Sequence, residues 1–240
     1  MILHELERLK PSKRIDKIVL ATSRDKSDDT LADIVAAHGF EVYRGSLDDV
    51  LDRYYKCAKK YRPTHVVRIT GDCPVIDRRI VDMAVEKHLD EDSDYTSLSE
   101  EYPDGLDTEI VRFSVLEQAW KNATLPSERE HVTLYVRNHS DIFRCGQMAC
   151  SQNLNRMRWT VDEPQDFEFI TEVYEALYPD NIDFGMNEIL RLLEKRPEML
   201  NLNQNIRRNE GLLKSLREDE EYVKKEKKSP CRNSQSPTHY

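Results

Sequence analysis

His65-Val66-Val67-Arg68-Ile69-Thr70-Gly71-Asp72-Cys73-Pro74 decides the fold. His65 to Thr70 is rich in β-branched and apolar residues and reads as a buried strand. Gly71 permits a tight backbone turn, Asp72 stands just past the strand end, and Pro74 stiffens the exit. Asp77 to Leu89 follows with helical spacing. The same alternation runs upstream. Ile15 to Thr22 reads as a strand, Asp28 to Gly39 as a helix with Gly39 as its stop, Glu41 to Tyr43 as a short strand, and Asp48 to Tyr61 as a helix. Strands alternating with helices of about 12 residues predict βαβ units, a parallel sheet and an α/β fold. Ligands of such sheets sit beyond the carboxyl ends of the strands. Ser23-Arg24-Asp25 and Gly71-Asp72-Cys73-Pro74 therefore become the segments to inspect.

Outside that unit, Leu3, Leu6 and Leu9 mark a short opening helix that Pro11 ends. Tyr95 to Leu98 and Asp107 to Arg112 read as strands around a Tyr102-Pro103-Asp104-Gly105 turn. Helices are expected at Phe113 to Asn122, Glu128 to Asn138, Glu163 to Leu177 and Met186 to Lys195, and strands at Ile142 to Met148 and Met157 to Val161. The chain turns polar near its end, and Val223 to Tyr240 reads as a disordered tail.

The 240 residues fit one large domain that buries a core without staples. Lys and Arg total 36 against 45 Asp and Glu, a formal net charge of -9, so a basic nucleic-acid footprint is absent. No run of about 18 apolar residues predicts a membrane span. Met1 to Lys10 carries charges throughout, unlike a signal peptide. Five cysteines are an odd, sparse set, which predicts a reduced, cytoplasmic protein.

Two aspartates carry the strongest chemical pattern. Asp72 follows one strand, and Asp162, in Trp159-Thr160-Val161-Asp162-Glu163-Pro164, follows another. A hard cation such as Mg²⁺ takes one or two carboxylates plus phosphate oxygens. Either residue could instead cap a helix or turn. Glu128-Arg129-Glu130-His131 places acid, guanidinium and imidazole within a helical turn, suited to gripping an acidic sugar or simply to a solvated helix start. Cys73 reads as a packed residue rather than a nucleophile, and no Cys-x-x-Cys pair suggests zinc.

Several strings, in order, resemble one family. They are Ile18-Val19-Leu20-Ala21-Thr22-Ser23, Arg44-Gly45-Ser46, Asp49-Val50-Leu51-Asp52-Arg53-Tyr54-Tyr55, Arg68 to Asp77, and Tyr102 to Glu109. Arg129-Glu130-His131-Val132-Thr133, Thr160 to Asp166 and Arg208-Asn209-Glu210-Gly211 complete the set. Together they resemble the cytidylyltransferases of the spore coat polysaccharide biosynthesis protein F type, homologues of CMP-KDO synthetase and relatives of acylneuraminate cytidylyltransferases. The likeness runs from Met1 to about Leu216. It implies a Rossmann-like nucleotide-diphospho-sugar transferase fold, an αβα sandwich with a mostly parallel sheet, spanning residues 1–216 and followed by a polar tail, 217–240.

The implied reaction joins CTP to a sugar or sugar acid, releasing pyrophosphate, for surface polysaccharide biosynthesis. The resemblance makes Asp72 and Asp162 the catalytic pair and Mg²⁺ ligands. It places Ser23, Arg53 and Thr70 at the nucleotide, and Glu130 and His131 at the sugar. Related synthetases imply a homodimer.

One departure stands out. Family members begin with a strand and a phosphate-cradling loop, whereas Met1-Ile2-Leu3-His4 aligns with the helix that should follow them. The expected first strand is thus missing, which leaves Ile18 to Thr22 and Val66 to Thr70 without their shared neighbour. The favoured expectation is a cytidylyltransferase whose recorded start is too late. The alternatives are a non-catalytic form that binds nucleotide or a partner, and a metal-dependent glycosyltransferase of related fold.

Overall fold

The computed structural model describes residues 1–206, 208 and 210–228. The chain opens with α1 (Ile2–Leu9), which buries Leu6 and Leu9 and also Glu5 and Arg8. The Arg8 guanidinium offsets its burial by donating to Ile76 O at 2.9 Å and to Phe184 O, and it lies 4.3 Å over the Phe184 ring. β1 (Val19–Ser23), α2 (Asp29–Ala37), β2 (Glu41–Gly45), α3 (Val50–Tyr61), β3 (His65–Arg68), α4 (Arg78–Asp90) and β4 (Tyr95–Leu98) then alternate as the sequence predicts. β5 (Glu109–Arg112), α5 (Phe113–Asn122), α6 (Pro126–Glu130), α7 (Leu134–Asn138), β6 (Cys145–Met148), α8 (Pro164–Leu177), α9 (Met186–Lys195) and α10 (Glu210–Lys228) follow.

β1 and β2 pair in parallel. β3, β5, β4 and β6 form a second sheet in that order. β5 is antiparallel to both its neighbours, and β6 is parallel to β4. β3, β4 and β6 therefore run one way in this sheet and β5 runs back between β3 and β4. Alternation splits the core into two layers. Leu98 and Ile110 face a cluster with Leu106, Trp159, Phe169 and Phe184, while Tyr95 and Val111 face Leu51, Leu116 and Val136. Helices thus cover both sheet faces, an αβα sandwich.

Three expectations need correction. The strand over Met157 to Val161 reduces to one bridge between Asp104 and Arg158, because Val161 N–H donates to Asp72 O at 2.9 Å, out of any ladder. The helix over Glu128 to Asn138 splits into α6 and α7. Between them Val132 takes φ 30°, a value a β-branched residue resists. The described part of the expected tail is helical rather than disordered, Val223 to Lys228 included, since α10 runs from Glu210 to Lys228 and Asp219 accepts from Ser127 N at 3.0 Å. Residues 229–240 of the expected tail lie outside the described residues.

Candidate functional site

The Asp72 loop meets the segment that leads into Asp162. The Asp72 carbonyl accepts Val161 N–H at 2.9 Å and the Thr160 hydroxyl at 3.2 Å. Gly105 makes this junction possible. It has φ 99°, and a Cβ there would stand 2.4 Å from Thr160 N, so any side chain would push the two segments apart.

Helix capping falls to other residues. Asp77 caps α4, accepting Arg79 N–H at 3.0 Å. Asp166 accepts the amides of Asp162 and Glu163 at 3.1 and 3.0 Å at the start of α8. Among the described residues, the Asp72 carboxylate receives only the Cys73 thiol, at 3.5 Å. The Asp162 side chain is 54% exposed and gives one oxygen to Arg158 at 2.6 Å. Both carboxylates keep lone pairs available, so the donor set fits a hard cation that completes its shell with phosphate and water. Among the described residues no three His, Cys, Asp or Glu side chains converge as metal ligands.

Arg158 organises the acids around this junction. Its guanidinium reaches Asp104 at 2.9 Å, Asp162 at 2.6 Å and the fully buried Asp166 at 2.9 Å. Burial, with Asp107 adding to it, pushes the Asp104 carboxyl up to about 6, against the pull of Arg208 and Arg158. Glu5 enters from α1. Burial and then the Asp72 carboxylate push it up to about 8, with the Cys73 amide opposing. Burial, Asp72 and Glu5 also hold the Cys73 thiol well above its ordinary value, which leaves no thiolate for nucleophilic chemistry.

The other expected residues divide between two places. Arg53, Thr70, Glu130 and His131 line a cavity of about 940 Å³ between β1 and β3. Arg53 donates to Ser46 O at 2.6 Å. The Ser215 hydroxyl of α10 donates to Glu130 at 2.6 Å and lies 3.0 Å from His131 Nε2. Burial lowers the His131 pKa, with Glu130 opposing and Arg68 adding to the fall. Ser23 is buried outside that cavity. Its hydroxyl accepts Asp25 N–H at 3.0 Å within a turn. Arg68 and Glu109 form a half-buried pair at 2.5 Å beside Glu130 and His131. Although burial pushes Glu109 up, Arg68, Thr133 and Tyr95 hold it below its ordinary range.

Sequence reasoning missed Arg158, Glu5, Asp166 and Ser215 as parts of this region. A signal existed for Arg158. Arg158, Thr160 and Asp162 alternate along an extended segment and so share one side of it.

Comparison with known proteins places this arrangement in context. The profile of the cytidylyltransferase family matches residues 1–196. The spore coat polysaccharide biosynthesis protein SpsF of Bacillus subtilis is 33% identical over 186 residues, 76% of this chain and 77% of that protein. The structure of a cytidylyltransferase from Leptospira borgpetersenii superposes with a TM-score of 0.80 at 30% identity, covering 87% of this chain and 88% of that one. A CMP:2-keto-3-deoxy-manno-octonic acid synthetase complexed with CTP gives a TM-score of 0.55 at 16% identity over 73% of this chain and 87% of that one. At that identity the likeness carries the fold.

Proposed function

As the chain belongs to the cytidylyltransferase family, we propose that it transfers CMP from CTP to a hydroxyl of a sugar or sugar acid, releasing pyrophosphate, in the assembly of a surface polysaccharide. The observation that carries this reading is the junction at the sheet's carboxyl edge. There the Asp72 loop is bonded to Val161, the residue before Asp162, through the Asp72 O to Val161 N–H bond, and other residues do the capping.

Asp72 and Asp162 would hold Mg²⁺. When bound, the ion neutralises triphosphate charge. The chain's own task is positioning, because phosphoryl transfer needs little covalent help. Arg158 keeps Asp162 in place, and Gly105 keeps Thr160 against the Asp72 loop. Arg53 and Thr70 line the cavity wall assigned to the nucleotide. Glu130 and His131, locked by Ser215, face the sugar.

The test is pyrophosphate release from CTP with Mg²⁺ over a panel of sugars and sugar acids. Asp72→Asn and Asp162→Asn should each slow release by about 10²-fold or more. Release that ignores both substitutions would remove the assignment. Metal-dependent hydrolysis of a nucleotide-sugar without CTP use would favour the glycosyltransferase reading instead.

A further inference from the structure

Ser215, Glu130 and His131 meet where α10 packs on α6. Ser215 and Asp219 stand four residues apart on α10 and so share one face, and both are buried. Asp219 accepts Ser127 N–H at 3.0 Å, which seats α10 against the start of α6. One turn back, the Ser215 hydroxyl lies 2.6 Å from Glu130 Oε2, 3.0 Å from His131 Nε2 and 3.0 Å from Gly211 O. Glu130 Oε2 and His131 Nε2 are 3.9 Å apart, so the hydroxyl bridges them.

Counting protons at this bridge fixes the state of the ring. A serine hydroxyl has one proton to donate and two lone pairs. The Glu130 carboxylate takes the proton. Its distance is that of a charge-assisted bond, and Gly211 O offers only a longer, neutral one. Toward His131 the hydroxyl oxygen is therefore an acceptor, and Nε2 carries the hydrogen. In a neutral imidazole that leaves Nδ1 with a bare lone pair. Among the described residues the ring is bonded only through Nε2. Its surroundings favour the neutral form. Burial lowers the pKa most, Glu130 of α6 opposes, Arg68 of β3 and Arg137 of α7 add to the fall, and Glu109 of β5 opposes. The His131 side chain keeps 22% exposure. It lines the same cavity as Thr70 and Gly71, which lead into Asp72.

Resting on the CMP-transfer reading above, we propose that His131 is the general base of the reaction, its free Nδ1 taking the proton of the attacking sugar hydroxyl. Ser215 and Glu130 are then positioning residues that hold the ring in the required tautomer. The bond from the sugar oxygen to the α-phosphorus forms as the bond from that phosphorus to pyrophosphate breaks. Pyrophosphate leaves with the electron pair, and the hydroxyl proton passes to Nδ1. The imidazolium keeps its Nε2–H on Ser215, whose hydroxyl still donates to Glu130. The carboxylate thus balances the new charge through the bridge, as an acid behind a catalytic imidazole does. The proton then returns to water from the exposed part of the ring.

Two readouts on the full chain test this. The first is the nuclear magnetic resonance of isotope-labelled imidazole nitrogens near neutral pH, without substrate. The His131 signal, assigned by its loss in His131→Gln, should show a protonated Nε2 and a bare Nδ1. Ser215→Ala should lose that bias, and Ser215→Thr, which keeps the hydroxyl, should restore it. The second is pyrophosphate release from CTP with Mg²⁺ and the sugar that the parent uses best. His131→Gln should lower kcat by about 10²-fold or more with KM little changed. Parent kcat should fall as pH drops through a pKa below 6.5, since the base must be unprotonated, and His131→Gln should lack that limb. Ser215→Ala should lower kcat by about tenfold, and Ser215→Thr should recover most of it. A ring protonated at Nδ1 overturns the proposal. So does a His131→Gln variant that keeps kcat, whether or not KM rises, and in both cases CMP transfer by the parent still stands. No release by the parent with any sugar removes the CMP-transfer reading, and the base role goes with it.

Discussion

Arg158 shows at the residue scale how the site is held and what the sequence conceals. Its side chain is 8% exposed and touches three carboxylates, of which Asp166 is fully buried. Removing one partner of a buried pair strands the others without water, so Arg158→Leu should lower stability by about 3–5 kcal/mol in urea unfolding. Arg158→Lys should recover only part, because an ammonium cannot fork between the acids. Asp72→Asn should cost less than about 1 kcal/mol in the same assay, since no strong hydrogen bond is lost. Equal losses for the two would show Asp72 to be structural. Asp72 and Asp162 were legible because each follows a strand end. Arg158 carried only the weak local signal of its alternation with Thr160 and Asp162, because its partner Asp104, 54 residues away, comes to it only in the fold. Glu5 makes a second prediction. With its carboxyl raised from 4.5 to about 8, the folded state binds more protons than the unfolded state across that window. Stability therefore falls as pH rises from about 4.5 to about 8. Glu5→Gln carries no charge, so it should gain on the order of 1–3 kcal/mol over the parent at pH 8.5 and little at pH 4.5. A gain of the same size at both pH values would show that Glu5 is not neutral in the fold.

The helices show which elements a hydrophobicity pattern can find. α5 (Phe113–Asn122) and α9 (Met186–Lys195) fall at their expected bounds, since each presents an apolar stripe to the core. α10 escaped because it docks through polar groups. Leu213, Leu216 and Tyr222 are exposed, while Ser215 and Asp219 are buried. Asp219 accepts both the amide and the hydroxyl of Ser127. Ser215 ties Glu130 and His131 across the break before α7. Periodicity reads transfer free energy and is blind to such bonds. Asp219→Ala should leave the buried Ser127 amide unmet and cost about 1–3 kcal/mol. The signature is local, with faster hydrogen exchange in α10 and α6 and unchanged exchange in α9. Uniform acceleration along the chain would place the docking energy elsewhere. The α6–α7 break was hidden for a related reason. The φ of 30° at Val132 is imposed by burial and by the bonds around it, against the preference of the residue itself.

Across the whole molecule, the βαβ order was legible because each strand–helix unit is local. The reversed β5 was not, because its place between β3 and β4 depends on pairings distant in sequence. The split sheet has a mechanical consequence. Among the described residues no backbone ladder joins β1 to β3. The unit of β1, β2 and α2 is held to the rest through α3, which packs on β1 and β2 and on α5 and α6. β4 and β5 are paired on both edges. Cooperative units follow contiguous bonding and packing, so the two parts should not open together. In the chain alone, native-state exchange should rank Val19–Ser23 and Glu41–Gly45 well ahead of Tyr95–Leu98 and Glu109–Arg112, by about 10²-fold in rate. Urea should resolve the same order, with the smaller unit melting first and the unfolding slope divided between two steps. A single transition with equal protection on both sides would mean that packing through α3 welds the two parts into one cooperative unit without a shared ladder.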